Sequence, residues 1–187
     1  MKVNKTELPG VLLIEPSVFH DPRGFFLELW QQQRYQEAGL PSGFVQDNLS
    51  HSIRGTLRGL HFQHPHGQGK LVYVLQGEIF DVAVDIRLGS PTFGRWLGVV
   101  LTDQAGHQVY VPEGFAHGFC VLSESALVGY KCTNFYNAQT EGGVLWNDPA
   151  LAIAWPTTTP LLSHKDQHYP PLQQIPREQL PQFLPRE

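Results

Sequence analysis

Cysteine and strong charge of either sign are both scarce in this sequence. Only two of its 187 residues are cysteines, and they form no CxxC pair, which argues against a disulfide framework and a structural zinc site. The net charge is −4 and no run of Lys or Arg stands out. Because binding to a phosphate backbone requires a basic face, nucleic acid is not expected as a partner.

Long apolar runs are also missing. The first ten residues, MKVNKTELPG, lack the apolar segment of a signal peptide, and no apolar run approaches the roughly 20 residues of a membrane-spanning helix. We therefore expect a soluble, cytoplasmic protein with no membrane partner. A length of 187 residues suits one domain with a sizeable core, and we assign residues 1–187 to it.

Glycine, proline and aromatic residues are plentiful, as in proteins built from short strands and tight turns. From residue 44 to residue 136 the apolar residues recur with a period of two. Most of the roughly nine predicted strands lie in this range, and so many short strands favour a sandwich or barrel. One helix is predicted over residues 30–38. From about residue 156 the chain is Pro-rich and polar, and we expect this tail, with one short helix near 177–180, to pack over the barrel.

The segment from Arg54 to Gly77 concentrates polar chemistry on two predicted strands. It reads RGTLRGLHFQHPHGQGKLVYVLQG, and His and Lys are costly to bury on a strand unless they have a role. Strand alternation directs His61 to one face and Arg58 to the other. On the next strand Lys70 shares a face with two valines.

Two stretches resemble the paired motifs of the cupin superfamily. Gly55, His61 and Gly77 have the spacing of the first motif, and Gly106 and His117 have that of the second. The resemblance implies an all-β fold, a cupin-type jelly-roll β-barrel with a few short helices. Many cupins bind a metal through residues of these motifs.

Two of the cupin metal-ligand positions carry unsuitable residues here. Gln63 stands at the second histidine position, and Lys70 stands at the glutamate position. A charged ammonium has no lone pair and repels a cation, so no metal ligand is predicted. His64 and His66 flank a proline in a turn at the strand end and are poor substitutes. A metal-dependent cupin enzyme remains the alternative.

A pocket with inward His, Lys and Tyr residues suggests proton transfer. Imidazole titrates near neutral pH, so His61 suits a general base, although a lone histidine is more often a buried residue bonded to the backbone. Lys70 on the same interior strengthens the case for a site. Tyr130 shares a face with Ala126 and Val128, where it is either a proton donor or a core aromatic. Nothing in the spacing selects Asp166.

Nine segments together resemble the dTDP-4-dehydrorhamnose 3,5-epimerase family. They are FHDPRGFF (19–26), FVQDNLS (44–50), LRGLHFQ (57–63), QGKLVYVLQGEIFDVAVDIR (68–87), SPTFG (90–94), VPEGFAHGF (111–119), YKCTNFY (130–136), EGGVLWNDP (141–149) and KDQ (165–167). The resemblance implies an isomerase of dTDP-L-rhamnose biosynthesis. Such an enzyme converts dTDP-4-keto-6-deoxy-D-glucose to dTDP-4-keto-L-rhamnose at both carbons beside the ketone. The resemblance also implies a homodimer in which the N-terminal strands of each chain add to the partner's sheet.

The same resemblance implies roles for four catalytic residues. His61 matches the base, and Asp166 matches the carboxylate that orients it. Lys70 matches the cation beside the keto oxygen, and Tyr130 matches the acid on the other side of the sugar. No cofactor is implied, because the reaction involves no net redox change.

Further residues are implied in substrate binding. Arg58 and Arg23 match contacts to the diphosphate, where a planar guanidinium suits phosphate oxygens. Phe26 and Tyr136 match residues that stack on the thymine. Glu28, Gln46 and Asn48 match further positions around the nucleotide, and Asp81 and His117 match residues that line the sugar pocket. Lys165 is a further implied substrate contact.

Two further alternatives stay open at this point. A relative that epimerises only one carbon, or that serves another deoxysugar pathway, would carry the same residues. A non-catalytic jelly roll that binds a sugar nucleotide would keep the barrel and the pocket.

Overall fold

A computed structural model describes residues 1–184, whose regular secondary structure consists almost entirely of β-strands. It contains one short α-helix, α1 (Gln32–Glu37), and two 3-10 turns, Leu172–Gln174 and Arg177–Gln179. The strands are β1 (Lys2–Lys5), β2 (Leu12–Glu15), β3 (Val18–Asp21), β4 (Gly24–Leu27), β5 (Gln46–Ile53), β6 (Leu57–Gln63), β7 (Lys70–Gln76), β8 (Glu78–Asp85), β9 (Trp96–Thr102), β10 (Gln108–Val111), β11 (Phe115–Val121), β12 (Ser125–Cys132) and β13 (Glu141–Gly143). The predicted domain runs to residue 187, and residues 185–187 lie outside the described part.

Two antiparallel sheets face each other. The six-stranded sheet has the order β1-β2-β10-β7-β12-β5, and the five-stranded sheet has the order β13-β6-β11-β8-β9. A separate hairpin consists of β3 and β4. Sequential strands often lie in different sheets, as in a jelly roll, and the predicted all-β, cupin-type fold is confirmed. No helix among residues 1–184 is long and apolar enough to cross a membrane.

The main core lies between the two sheets and follows strand alternation. Val72 and Val74 of β7 meet Ile79 and Ala83 of β8 there, with Phe119 of β11. Since successive side chains of a strand point to opposite faces, the intervening residues face outward. The faces predicted for β7 and β12 are confirmed.

The outer face of each sheet is covered by non-strand chain. Leu60 and Val84 of the five-stranded sheet pack against Leu172, Ile175 and Leu180 of the C-terminal segment. Burying such side chains contributes about 1.5–3 kcal/mol each. These contacts hold the C-terminal segment beside β6, the strand that carries His61.

Helix α1 covers the other sheet. Tyr35 and Leu40 pack on Ile14, Leu71 and Tyr110. The helix is shorter than the predicted 30–38 because the extended residue Gln31 caps it, accepting the Arg34 backbone N–H.

Strand β6 contains a bulge that changes which side chains face the interior. Opposite β11, His61 pairs with His117 and Arg58 pairs with Phe119, so three steps on β6 match two on β11. The extra residue falls at Gly59-Leu60, where Gly59 has a φ of 117°. Directly paired residues point to the same face. The prediction that Arg58 faces away from His61 is therefore wrong.

Candidate active site

A cavity of about 210 Å³ opens between the two sheets. His61 on β6 and His117 on β11 line it from the five-stranded sheet. Lys70 on β7 and Tyr130 on β12 line it from the six-stranded sheet. The structure thus brings together three of the four predicted catalytic side chains at the cavity wall.

The fourth, Asp166, reaches His61 from the C-terminal segment. Its Oδ1 lies 2.6 Å from Nε2 of His61, and the Ser163 hydroxyl accepts its backbone N–H. Burial favours the neutral form of Asp166, but the hydrogen bond and charge of His61 outweigh it and hold the pKa of the carboxyl below its usual range. An ionised Asp166 accepts the Nε2 proton, which leaves Nδ1 as the nitrogen available for proton transfer.

A second histidine–carboxylate pair stands beside the first. His117 Nε2 lies 2.8 Å from Asp81 Oδ2, and both side chains are buried. His117 is also the direct cross-strand neighbour of His61. Of the two predicted sugar-pocket residues, His117 therefore lies beside the proposed base, and Asp81 holds the ring of His117 in place.

Lys70 points into the cavity from the opposite sheet. Burial lowers the pKa of its ammonium, and the charges of Asp81 and Glu141 act in the other direction. Among residues 1–184 its amine makes no hydrogen bond or ion pair. Its positive charge is thus directed at the space that a substrate would occupy.

Tyr130 lies on the same sheet as Lys70, opposite His61. Burial raises the pKa of its phenol, with Cys132 adding to the effect and the positive charge of Arg58 opposing it. The phenol keeps its proton at neutral pH. A base and a proton donor therefore stand on opposite sides of one cavity.

Two predicted nucleotide residues line the cavity from edge strand β5. The Gln46 amide donates to Asn48 Oδ1 at 3.0 Å and accepts the backbone N–H of Tyr136 at 2.9 Å. Tyr136, half exposed at the cavity mouth, donates its hydroxyl proton to Glu141 at 3.0 Å. The three predicted residues Gln46, Asn48 and Tyr136 are thus brought together.

Arg58 lies near the cavity without lining it. Its Nε donates to the Ser52 hydroxyl at 3.0 Å, and the guanidinium is exposed. Because of the bulge it shares a face with His61. Its charge reaches Tyr130, so it flanks the acid side of the site.

Three predicted binders lie elsewhere. Arg23, Phe26 and Glu28 belong to the β3–β4 hairpin and the residue just beyond it, and none of them lines the His61 cavity. Arg23 pairs with Asp21 at 2.6 Å and Glu28 pairs with Arg34. Phe26 is 69% exposed. Within this chain, the structure does not bring them to the site.

Sequence reasoning missed Glu141 as a site residue. Its carboxylate accepts from Lys165 Nζ at 2.7 Å and from Tyr136. Burial works against its charge, but these donors hold its pKa below the usual range. Lys165, a predicted binder, is placed at the cavity rim through this contact. The signal was the pair Gly142-Gly143 directly after Glu141, which marks close packing on a strand.

Gln63, at a cupin ligand position, has a structural use for its amide. Its Nε2 donates to the Phe135 carbonyl at 3.2 Å, and its Oε1 accepts from the Asn137 backbone at 2.8 Å. It thereby anchors the loop that carries Tyr136. Within residues 1–184 no group of three His, Cys, Asp or Glu side chains is arranged to hold a metal ion.

Comparison with known proteins matches almost the whole chain. A family model described as dTDP-4-dehydrorhamnose 3,5-epimerase matches residues 5–174. The chain is 56% identical over 168 residues to the dTDP-4-dehydrorhamnose 3,5-epimerase of Shigella flexneri, covering 89% of this chain and 93% of that protein. It is 47% identical over 169 residues to the dTDP-4-dehydrorhamnose 3-epimerase of Streptomyces niveus, covering 89% and 82% respectively.

A solved structure is similar over the full fold. The dTDP-6-deoxy-D-glucose-3,5-epimerase of Legionella pneumophila, in complex with dTDP-4-keto-L-rhamnose, superposes with a TM-score of 0.96 and is 49% identical. The match covers 98% of this chain and 99% of that one.

Proposed function

This chain belongs to the dTDP-4-dehydrorhamnose 3,5-epimerase family, and we propose that it converts dTDP-4-keto-6-deoxy-D-glucose to dTDP-4-keto-L-rhamnose. The enzyme is an isomerase that inverts both carbons next to the ketone. This is a step of dTDP-L-rhamnose biosynthesis, which takes place in the cytoplasm.

One observation carries the proposal: His61 and Tyr130 face each other across the cavity from different sheets. Inverting a carbon requires a proton to leave from one side and return from the other. A base and an acid on the same wall would return the proton to the side from which it came. Lys70 lines the same cavity from the sheet that carries Tyr130, which supports the same chemistry.

The reaction proceeds by enolisation of the ketone. His61 Nδ1 takes the proton of the carbon beside the ketone, and the C–H electron pair moves to make an enolate oxygen. Lys70 stabilises this oxygen, because a fixed positive charge in a partly dehydrated cavity acts strongly on developing negative charge. Asp166 stabilises the imidazolium that results.

Tyr130 then donates its proton to the opposite face of the same carbon. The enolate electrons return to form the new C–H bond, so configuration is inverted and oxidation state is unchanged. His61 and Tyr130 recover their starting protonation by exchange with water. The second carbon follows the same steps, and no cofactor is required.

The nucleotide occupies the side of the cavity lined by Gln46, Asn48 and Tyr136. An aromatic ring at the mouth offers a face for thymine. Arg58 and Lys165 provide the cationic groups for the diphosphate.

The active form is a homodimer in which the partner's hairpin completes the site. Arg23 and Phe26 are exposed and remote from the cavity of their own chain, although the family resemblance assigns them to the substrate. A second copy whose hairpin reaches this cavity reconciles the two observations. The exposed Phe19 and Phe25 of the same hairpin supply apolar surface for such a contact.

The test is product formation in heavy water. The protein is incubated with dTDP-4-keto-6-deoxyglucose and a rhamnose-forming reductase in D₂O, and the product is analysed by NMR. We expect dTDP-rhamnose with deuterium at both carbons that flank the former ketone. Deuterium at one carbon only would make the enzyme a single-carbon epimerase, as the Streptomyces niveus relative is named. If neither carbon took up deuterium, the proposal would be overturned.

A further inference from the structure

Tyr169 touches the proposed base directly, although nothing in its sequence position marks it. Its ring lies edge-on to the His61 imidazole, with centroids 5.8 Å apart and planes at 70°. It stands three residues after Asp166 on the same segment. Two residues from one stretch of chain therefore contact His61: Asp166 bonds to the Nε2 atom of His61, and Tyr169 packs its ring against the imidazole.

Gly143 explains how the Tyr169 ring fits there. Gly143 pairs directly with His61 across β13 and β6, so a side chain at this position would stand beside the imidazole. A Cβ on Gly143 would lie 2.3 Å from Cε2 of Tyr169 and 2.4 Å from its Cδ2. Its backbone φ is not in the left-handed region that requires glycine. Glycine is thus needed for the space that the Tyr169 ring occupies.

The chain on both sides of Tyr169 is fixed. Asp166 is buried and bonded to His61, and the carbonyl of Pro170 accepts the Leu145 backbone N–H at 2.9 Å. Burial, with the charge of Glu141, raises the pKa of Tyr169 to about 12. The ring is therefore held in place and uncharged over the working pH range.

We infer that Tyr169 is a positioning residue for His61. Its ring fills the space into which the imidazole would otherwise turn. This keeps Nε2 on Asp166 and Nδ1 toward the cavity. The inference rests on the proposed function of His61 as the base.

Four variants separate this role from simple anchoring of the C-terminal segment. Tyr169→Ala removes the ring and Tyr169→Phe keeps it. Gly143→Ala displaces the ring by placing a methyl group in its space, and the double variant Gly143→Ala/Tyr169→Ala has the methyl group without the ring. Ile175→Ala is the matched control, because Ile175 anchors the same segment in the cluster of Leu60, Val84 and Leu172 on the outer face of the sheet, whereas His61 lines the cavity between the sheets.

Steady-state kinetics give the first result. Tyr169→Ala and Gly143→Ala should each lower kcat about threefold to tenfold, the scale of one aromatic contact, with KM nearly unchanged. Tyr169→Phe should recover most of that loss. In the double variant Gly143→Ala should cost nothing beyond Tyr169→Ala, since the ring it displaces is gone. The inference would be refuted if the losses of kcat in the two single variants multiplied fully in the double variant. It would also be refuted if Tyr169→Phe were as slow as Tyr169→Ala.

A measurement without substrate keeps this result independent of the proposed function. Nitrogen NMR of ¹⁵N-histidine protein reports which His61 nitrogen carries the proton. We expect one dominant tautomer of His61, protonated at Nε2, in the native protein and in Ile175→Ala. The Ile175→Ala variant should differ from the native protein only in a lower melting temperature. Tyr169→Ala should give an averaged signal. An unchanged His61 signal in Tyr169→Ala would refute the positioning role even if the enzyme had a different substrate.

Discussion

The hydrogen bond between His61 and Asp166 joins two residues that are far apart in the sequence, and the proposed chemistry depends on it. Asp166→Asn keeps the size of the side chain but removes the charge that stabilises the imidazolium. We expect kcat to fall at least about a hundredfold, while substrate binding measured by calorimetry stays within a few-fold. A variant that retains near-native kcat would show that His61 does not need the carboxylate.

Removing the charge of Lys70 should affect rate more than affinity. Lys70→Met leaves a side chain of similar length without its ammonium. Because the enolate charge exists only near the transition state, kcat should drop by orders of magnitude while KM changes little. The two constants are measured together, and a rise in KM at constant kcat would contradict the assigned role.

The lowered pKa of Lys70 predicts an alkaline limit on activity. A group whose pKa is lowered loses its proton at a lower pH than an ordinary lysine, which titrates near 10.4. The rate should therefore decline with rising pH before that value is reached. In Lys70→Arg the guanidinium stays charged, so whatever activity that variant keeps should not show this decline. Profiles of kcat against pH for the two proteins decide the matter.

Single residues differed in how far the sequence revealed them. Lys70 and Tyr130 were predicted to face the interior from strand alternation, since β7 and β12 pair in unbroken register from Val128 to Cys132. Asp166 lies in irregular chain and was found only through the family resemblance. Tyr169 gave no signal, because its role depends on a space left by Gly143 on a distant strand.

Strand β6 should depend strongly on its bulge. A Cβ on Gly59 would lie 2.6 Å from both the Gly118 Cα and the His117 carbonyl oxygen, at a φ of 117°. We expect Gly59→Ala to destabilise the fold by at least about 2 kcal/mol, or to prevent folding. Denaturant unfolding measures this change.

Gly43→Ala is the control for that experiment. A Cβ at Gly43 meets no atom within 4 Å, and its φ is not in the left-handed region. Its stability should stay within about 0.5 kcal/mol of the native protein. Equal losses in the two variants would mean that the bulge contributes nothing specific.

At the level of elements, the strands between residues 44 and 136 were predicted better than the short strands outside that range. The strands β5 to β12 all lie within the range 44–136, where the apolar residues recur with a period of two. β1, β3 and β13 lie outside that range and have only four, four and three residues, too few for a period of two to be recognised where no neighbouring strand continues the pattern. The bulge in β6 was invisible because alternation assumes an unbroken register.

The proposed dimer predicts that two inactive variants restore each other. Arg23→Ala in one chain and His61→Ala in the other leave a mixed dimer with one intact site, if the hairpin of each chain serves the partner's cavity. Coexpression should then give about a quarter of native activity, since half the dimers are mixed and one site in each is intact. If the coexpressed proteins were no more active than each variant alone, the hairpin would lie in the cavity of its own chain or outside the site.

The position of Asp166 after all the strands also sets an order of events during synthesis. The chain that forms both sheets is complete by Gly143, before the ribosome reaches the codon for Asp166. At about 5–20 residues per second, the chain of both sheets, with His61, Lys70 and Tyr130, is made roughly 1–5 s before Asp166 is added to it. Catalytic competence is thus gained only after the scaffold has been made, when the final segment docks on it.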